Sequence, residues 1–341
     1  MHRDLMYKGK RIHPHKACVA PSFNQPTVLV EDQFDYVEMW LKRNAKSALV
    51  YWMQAENFYR ATAAVTNESR PLTAYYCILN ATKTLLASKK RTISQQHGVS
   101  GSVGGQKTVL CNESITTMGS GVFADLAAFF GASNLSGRTV TLKQLFYNIP
   151  FIHRAFTITY TTSENLFIPI TDGHFARQTK GNEAWFCATI KDKQYQKKNI
   201  WSGQRGWEID TSEKDFVIRR KKRFQWHSHG VQRATNLDRL RQYHFRIRRD
   251  IKYIHSAERL WYYKRNDKEA DILNWPLLTL TFAAMHRLSE LCRYEPDRLL
   301  KHFNTQHNWL LCEFLNLAIP NFIDQIACDI TGQDIMKSGY R

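Results

Sequence analysis

The sequence predicts an α+β protein: a helical bundle formed by N- and C-terminal helices, with an inserted antiparallel β-rich basic region. Three observations lead there. Apolar residues recur at helical spacing from Phe34 to Ser88 and again from Leu277 to Ile330. Between Phe156 and Tyr262, β-branched and aromatic runs alternate with turns rich in Gly, Asn, Asp and Lys. Most of the surplus positive charge falls inside that middle stretch. Helices on either side of a block of strands fit one helical layer carrying an insert.

Residues 1–30, with Pro14, Pro21 and Pro26 and no sustained period, read as an irregular basic segment. The first part of the helical core occupies 31–155. Phe34, Val37, Trp40 and Leu41 mark one amphipathic helix, and Ala48, Trp52, Ala55, Phe58, Tyr59 and Ala63 mark the next. Ser69 and Pro71 are a helix start, because proline suits the first turn. The run from Leu72 to Ser88 carries one charge, Lys83, and reads as a buried helix. Val109, Leu110 and Ile115 suggest a hairpin, followed by helices at Val122–Phe130 and Leu142–Ile149. The β-rich insert spans 156–270, with strands at Phe156–Tyr160, Leu166–Ile170, Trp185–Ile190, Phe216–Ile218 and Ile251–Ile254. Leu237–Phe245 fits helix and strand equally. Residues 271–341 complete the bundle, with Pro296 ending one helix and Pro320 kinking or breaking the last.

A chain of 341 residues, 43% of them hydrophobic, can build a substantial core and is not disordered. No apolar run is long enough for a membrane helix, and Met1–Lys16 lacks the apolar stretch of a secretion signal. Seven scattered cysteines with no C-x-x-C pair read as reduced thiols, which points to the cytoplasm. No metal-binding pattern stands out, and no cofactor is expected. His13, His15 and Cys18 read as part of a basic tail, and His227 and His229 as part of the basic surface.

From Phe216 to Arg265 there are 15 Lys and Arg against Asp238, Asp250 and Glu258, out of a formal net charge of +18 for the chain. Clustered cations concentrate polyanions, and interleaved rings can stack on bases. The expected phosphate contacts are Arg219, Arg220, Lys221, Lys222, Arg223, Arg246, Arg248 and Arg249, with Trp226 and Tyr243 as stacking rings. RNA and DNA remain equal alternatives as partner. A seam docking on an acidic protein, or a solvated face, would show the same composition.

Gly101–Thr108 nearly spells a phosphate-binding loop. However, Gln106 stands where glycine is required, and no helix is expected to follow, so a connector is the better reading. Arg91 with His97, and Arg239 with His244, have the spacing of Arg–His pairs in small helical ribonucleases. There His moves the proton and Arg offsets phosphate charge. Arg249 with His255 fits as well, so the spacing alone does not single out a site.

Four segments together resemble the YaaC-like family of bacterial proteins: Pro71–Leu86 followed by His97-Gly98, Leu142–Leu145 running into Ile149-Pro150, Leu288–Pro296, and Trp309–Phe314. They occur in the family's order and span most of the chain; the basic middle has no counterpart in that pattern. The resemblance implies a fold and a bacterial context but no activity. The Tyr75-Tyr76 helix with the trailing His97-Gly98 is also similar to helices of the HEPN group, whose members bind nucleotides and often cleave RNA in toxin and phage-defence systems. That likeness implies a HEPN-like core and a role in antiviral defence. HEPN ribonucleases carry their Arg–His motif on a later helix. Here Arg298 and His302 are too close together to match it.

Asn80, Lys83, Arg293 and Tyr294 are polar groups beside a core and must find partners. They either staple the terminal helices together or line a ligand pocket. The expected function is a cytoplasmic nucleic-acid-binding protein of a defence or toxin-type system, with homo-oligomerisation left open. Two alternatives stand beside it. One is a metal-independent ribonuclease using an Arg/His pair. The other is a non-catalytic subunit with a protein partner.

Overall fold

A computed structural model describes residues 2–132, 134–256, 258–266 and 271–338. The expected segment ends at residues 1, 270 and 341 lie outside the described residues. The chain mixes helices with antiparallel sheet, and it divides into two compact units, each assembled from separated stretches. Unit 1 comprises 1–28, 166–270 and 332–334; unit 2 comprises 29–165, 271–331 and 335–341. Elements are numbered along the whole chain.

Unit 1 begins with three short strands, β1 (His2–Asp4), β2 (Met6–Tyr7) and β3 (Lys10–Arg11). Of the segment read as irregular, β1 pairs with residues 176–178 of the main sheet, while β2 and β3 pair with each other in a separate two-stranded sheet. Strands of two or three residues are too short to leave a period in the sequence. Leu5 N–H donates to the Phe175 carbonyl, and Phe175 N–H donates to that of Ile12. The remaining strands of the main sheet lie far along the chain, beyond β4 (Val28–Val30) and unit 2's β5 (Val99–Val103), β6 (Glu113–Thr117) and β7 (Thr139–Thr141). They are β8 (Phe167–Gln178), β9 (Glu183–Thr189), β10 (Trp207–Asp210), β11 (Val217–Arg220), β12 (Phe224–Gln225), β13 (Ile251–Ile254) and β14 (Leu260–Lys264).

The sheet order is β10-β11-β9-β8-β14-β13, with β1 also pairing β8 and β12 also pairing β9. β8 is long enough to carry β14 along Phe167–Ile170 and β1 along Ala176–Gln178. Its register against β9 gains one residue between Thr171 and His174. That bulge is where Asp172 takes a positive φ of 48° and where Gly173 lets Phe186 approach. Period-two alternation sends Ala184, Phe186 and Ala188 into the main core, while Trp185 and Cys187 face the other side of the sheet.

Helix remains between these strands too. Counting from the N-terminus, the helices of unit 2 are α1 (Gln33–Asn44), α2 (Leu49–Ala63), α3 (Arg70–Ser88), α4 (Val122–Phe129), α5 (Leu142–Tyr147) and α6 (His153–Thr159). Unit 1 holds α7 (Lys198–Ser202) and α8 (Asn236–Ile247), after which unit 2 resumes with α9 (Leu277–Tyr294), α10 (Pro296–Phe303) and α11 (Asn308–Thr331). A last strand, β15 (Ile335–Lys337), pairs with β4. The ambiguous stretch after Leu237 is thus helical: Leu240, Tyr243 and Ile247 form an apolar stripe on α8 that enters the unit 1 core.

In unit 2, α3 packs against α2, α9 and α11, which explains its near-total lack of charge. Pro71 sits in its first turn, and Ser69 precedes it without a side-chain cap. The stretch expected as a strand at Phe156–Tyr160 is instead α6. Its alternating Phe-Thr-Ile-Thr pattern imitates a strand, but Thr157 and Thr159 hydroxyls donate back to the Arg154 and Ala155 carbonyls within the helix. α11 runs through Pro320 without ending.

β5, β6 and β7 form a small antiparallel sheet. The loop that resembled a phosphate cradle joins β5 to β6, and no helix starts at Lys107. Gly101 meets another need. Its N–H donates to Glu290 (3.1 Å), and a Cβ there would collide with Glu290 and Arg287. Beside it Glu113, fully buried on β6, accepts from Arg287 (2.7 Å), Arg298 (2.6 Å) and His302 (2.9 Å). Burial would push its carboxyl up, but the bonds from His302, Arg287 and Arg298 hold it down at about 2.

Candidate functional site

Each unit carries one arrangement of functional side chains. In unit 2, α3 presents Tyr75 and α9 presents His286, while His97 follows α3 at the start of β5. The Tyr75 hydroxyl lies 2.5 Å from His97 Nδ1. The Tyr75 and His286 rings meet edge-on at 5.0 Å, and those of His97 and His286 are 5.4 Å apart. His97 is held by its backbone as well, its carbonyl accepting from Phe123 N–H at the start of α4.

Gly98 explains why glycine follows that histidine. It has a φ of 81°, and a Cβ would press on the Ser120 carbonyl and Gly121 backbone. Gly121, with a φ of 115°, is equally constrained, since its own Cβ would strike the Gly98 backbone.

Burial, then the charges of Arg293 and Lys83, lower the basicity of His97. His286 is pushed down to about 3 by burial, then by His97, Arg293 and Arg287. Burial raises the Tyr75 phenol well above its ordinary value. With that phenol protonated and the His97 ring neutral, the hydroxyl donates to Nδ1 and the ring proton sits on Nε2. The cluster thus offers an imidazole N–H beside two cations.

Next to it is a cleft of roughly 500 Å³ between α2 and α3, lined by Gln54, Asn57, Phe58, Tyr76, Leu79, Asn80 and Lys83. Phe58 and Tyr76 stack at 5.2 Å. Asn80 Nδ2 donates to the Tyr76 carbonyl (2.9 Å), and the Lys83 ammonium stands 5.8 Å from the centre of the Tyr51 ring. Of the four polar residues singled out from sequence, Asn80 and Lys83 line this cleft. Arg293 is half-buried and donates to the Ser289 carbonyl (3.2 Å), whereas Tyr294 is 72% exposed.

Arg91 is exposed, and among the described residues no contact joins it to His97. Arg239 and His244 share α8, but His244 is fully buried, where its Nε2 accepts from the His15 backbone N–H (3.1 Å). Burial, then the Arg248 and His15 charges, depress it strongly. It acts as a staple for the N-terminal segment.

In unit 1 the basic run sorts into spent and available charge. Arg219 bonds Glu208 (2.7 Å) and Asp210 (2.9 Å), Arg220 pairs Asp250 (2.8 Å), and Arg223 lies over Trp185 and reaches Glu208 (3.3 Å). Arg248 is buried, against Cys18 and the Trp261 ring. Trp226 and Tyr243, expected to stack on bases, are 6% and 3% exposed, so neither offers a ring face to solvent. The Tyr243 hydroxyl is itself engaged, donating to the Lys222 carbonyl (3.0 Å) and accepting from Phe186 N–H (3.1 Å).

Lys221, Lys222, Arg246 and Arg249 are exposed and form no salt bridge among the described residues, though Arg249 is near enough to Asp250 to act on its carboxyl. The segments that carry them are tied together. Tyr243 of α8 ties to Lys222 in the β11–β12 turn, Lys221 N–H donates to the Gly206 carbonyl, and Arg220 reaches Asp250 just past α8. Arg205, also exposed, adds a cation beside Gly206 that charge counting within 216–265 missed. His286, Gln54 and Asn57 were missed as well. A lone His in an apolar helix was the only sequence signal among them.

Among the described residues no group of His, Cys, Asp and Glu could hold a metal ion, and no helix is long and apolar enough to cross a membrane. No curated protein and no solved structure matches the chain. A family model described as YaaC-like Protein matches residues 17–330. With nearly its whole length matched, from the N-terminal edge of unit 1 to the last turns of α11, the chain belongs to the YaaC-like family.

Proposed function

We propose that this protein binds nucleic acid through the unit 1 surface formed by Arg205, Lys221, Lys222, Arg246 and Arg249. The supporting observation is the sorting of charge there: acids neutralise the arginines built into the sheet, and the neighbouring cations stay in solvent. Exposed cations clustered on one face attract phosphates and release the counterions around them. The buried rings shift the reading from base stacking toward backbone contact, with little sequence preference. A HEPN-like core and a role in a defence or toxin-type system belong to the same proposal, by analogy with the helices around Tyr75 and His97.

A gel-shift assay with single-stranded RNA, single-stranded DNA and duplex DNA, in chelator, tests it. Holding four phosphates, the protein should lose affinity on the order of 50- to 150-fold between 50 and 200 mM salt. No shift at low salt would overturn the proposal and favour an acidic protein partner.

A second reading is a metal-independent ribonuclease. It is favoured by the neutral His97 beside two cations, and Arg293 takes the place first given to Arg91. RNA cleavage in chelator that disappears in His97→Ala would support it. Intact RNA after prolonged incubation would remove it.

A further inference from the structure

Cys187 stands on the face of the main sheet turned away from the unit 1 core, in a small apolar cluster with Ala176, Trp185 and Val217. Strand register places His174 of β8 directly across from it. Cys187 Sγ lies 3.1 Å from His174 Nε2, and His174 Nδ1 lies 2.7 Å from the Asp172 carbonyl oxygen. A carbonyl can only accept, so the ring proton sits on Nδ1 and the Nε2 lone pair faces the thiol. The bulge that gives Asp172 its φ of 48° brings that carbonyl to the ring two residues on. Two carboxylates flank the imidazole. Asp4 Oδ1 is 3.5 Å from Nε2 and Asp172 Oδ2 is 3.6 Å from Nδ1, and Arg11 pairs with both acids, at 3.0 Å and 2.8 Å. Two residues along β9 on the same face, the Trp185 indole N–H is buried with no hydrogen-bond partner among the described residues.

We propose that Cys187 is a nucleophile that takes an acyl group from a small activated ester, with His174 as its general base. Sγ attacks the carbonyl carbon while its proton passes to Nε2. The C–S bond forms, the ester C–O bond breaks, and the leaving oxygen takes the proton back from Nε2, so that a thioester remains on Cys187. Asp4 and Asp172, positioned by Arg11, offset the positive charge that the ring carries in between. The Trp185 N–H is a buried donor that a substrate oxygen can satisfy. Burial pushes the thiol well up and the imidazole down, so the resting pair is neutral and the proton moves only on attack. Cys187 is 2% exposed and His174 9%, which restricts the acyl donor to small molecules. None of these residues belongs to the nucleic-acid surface proposed above.

Treatment of the full chain with p-nitrophenyl acetate, followed by peptide mapping of hydroxylamine-labile acetyl groups, tests it. Cys111, an exposed thiol, is the internal reference. Burial alone would make the ratio of Cys187 to Cys111 acetylation lower in the folded protein than in the urea-unfolded chain. The Cys187–His174 pair should make it higher. His174→Gln should slow acetylation of Cys187 about 10²-fold or more, the scale of a general base, and leave that of Cys111 unchanged. Circular dichroism checks the fold of the variant, and the wild-type ratio decides the matter even where the variant does not fold. A folded-state ratio below the unfolded one, or a Cys187 rate indifferent to His174→Gln, would each overturn the assignment.

Discussion

In unit 2, three cationic or protonatable side chains from α9 and α10 close on one buried carboxylate, Glu113. In unit 1 the arrangement is spread out: Glu208, Asp210 and Asp250 hold Arg219, Arg220 and Arg223 along the sheet, and Lys221 and Lys222 between them are left in water. The first pattern fixes a packed interior, and its removal leaves charge where no water can reach. The second leaves a surface field. Formal charge is the same quantity in both, but only burial and pairing decide whether it supports structure or attracts a partner.

The largest test of that contrast is Glu113→Ala. Arg287, 3% exposed, would lose its closest carboxylate, and unfolding in denaturant should show a loss of about 3–5 kcal/mol. A loss below about 1 kcal/mol would mean that the hub is not structural. Acid gives the same contrast without mutation. A carboxyl held at about 2 in the fold, against about 4.3 when unfolded, stabilises the protein above the unfolded value. That contribution is lost as pH falls from about 4.3 toward 2. Wild type should therefore lose stability across this window more steeply than Glu113→Gln, as thermal melts in stepped buffers would show.

Arg219→Ala comes next in size. It leaves Asp210, 2% exposed, with its Ser212 bonds as the remaining side-chain hydrogen bonds among the described residues, and should cost about 1–3 kcal/mol with a small effect on nucleic-acid affinity. Replacing Lys221, Lys222, Arg246 and Arg249 together by Ser should do the reverse. Stability should change by about 0.5 kcal/mol or less per site, while the slope of log affinity against log salt flattens by about 3. If Arg219→Ala abolished binding and the Ser variant retained it, the division into spent and available charge would be wrong.

Much of the architecture was legible because burial leaves a pattern. α3 shows in the sequence as a long stretch nearly free of charge, and α9 opens with an uncharged apolar run from Leu277 to Met285, since each is packed on several sides. β1 was not legible, because its order comes from pairing with β8 more than 150 residues away, and β2 and β3 are two residues each, too short to show a period. α6 was misread since Phe-Thr-Ile-Thr satisfies a strand period while its threonines satisfy a helix by back-bonding. At the site, Asn80 and Lys83 stood out as polar residues on an apolar helix. Gln54 and Asn57, which line the same cleft, carried no signal until α2 was laid beside α3. The stacking role expected of Trp226 and Tyr243 failed on the same ground: aromatic residues next to arginines read alike in sequence whether they face water or the core.

The N-terminal tie between Leu5, Phe175 and Ile12 has a consequence for biosynthesis. Residues that complete unit 1 leave the ribosome first and must wait for their sheet. At about 5–20 residues per second, the interval between Val28 and Leu166 lasts roughly 7–30 seconds. Throughout it Leu5 and Ile12 are exposed apolar residues with nothing to cover them. Unit 2 is no better placed, as α3 emerges long before α9 and α11. Neither half can close before most of the chain has been made, so the nascent protein should depend on chaperones more than one whose domains are each contiguous in sequence.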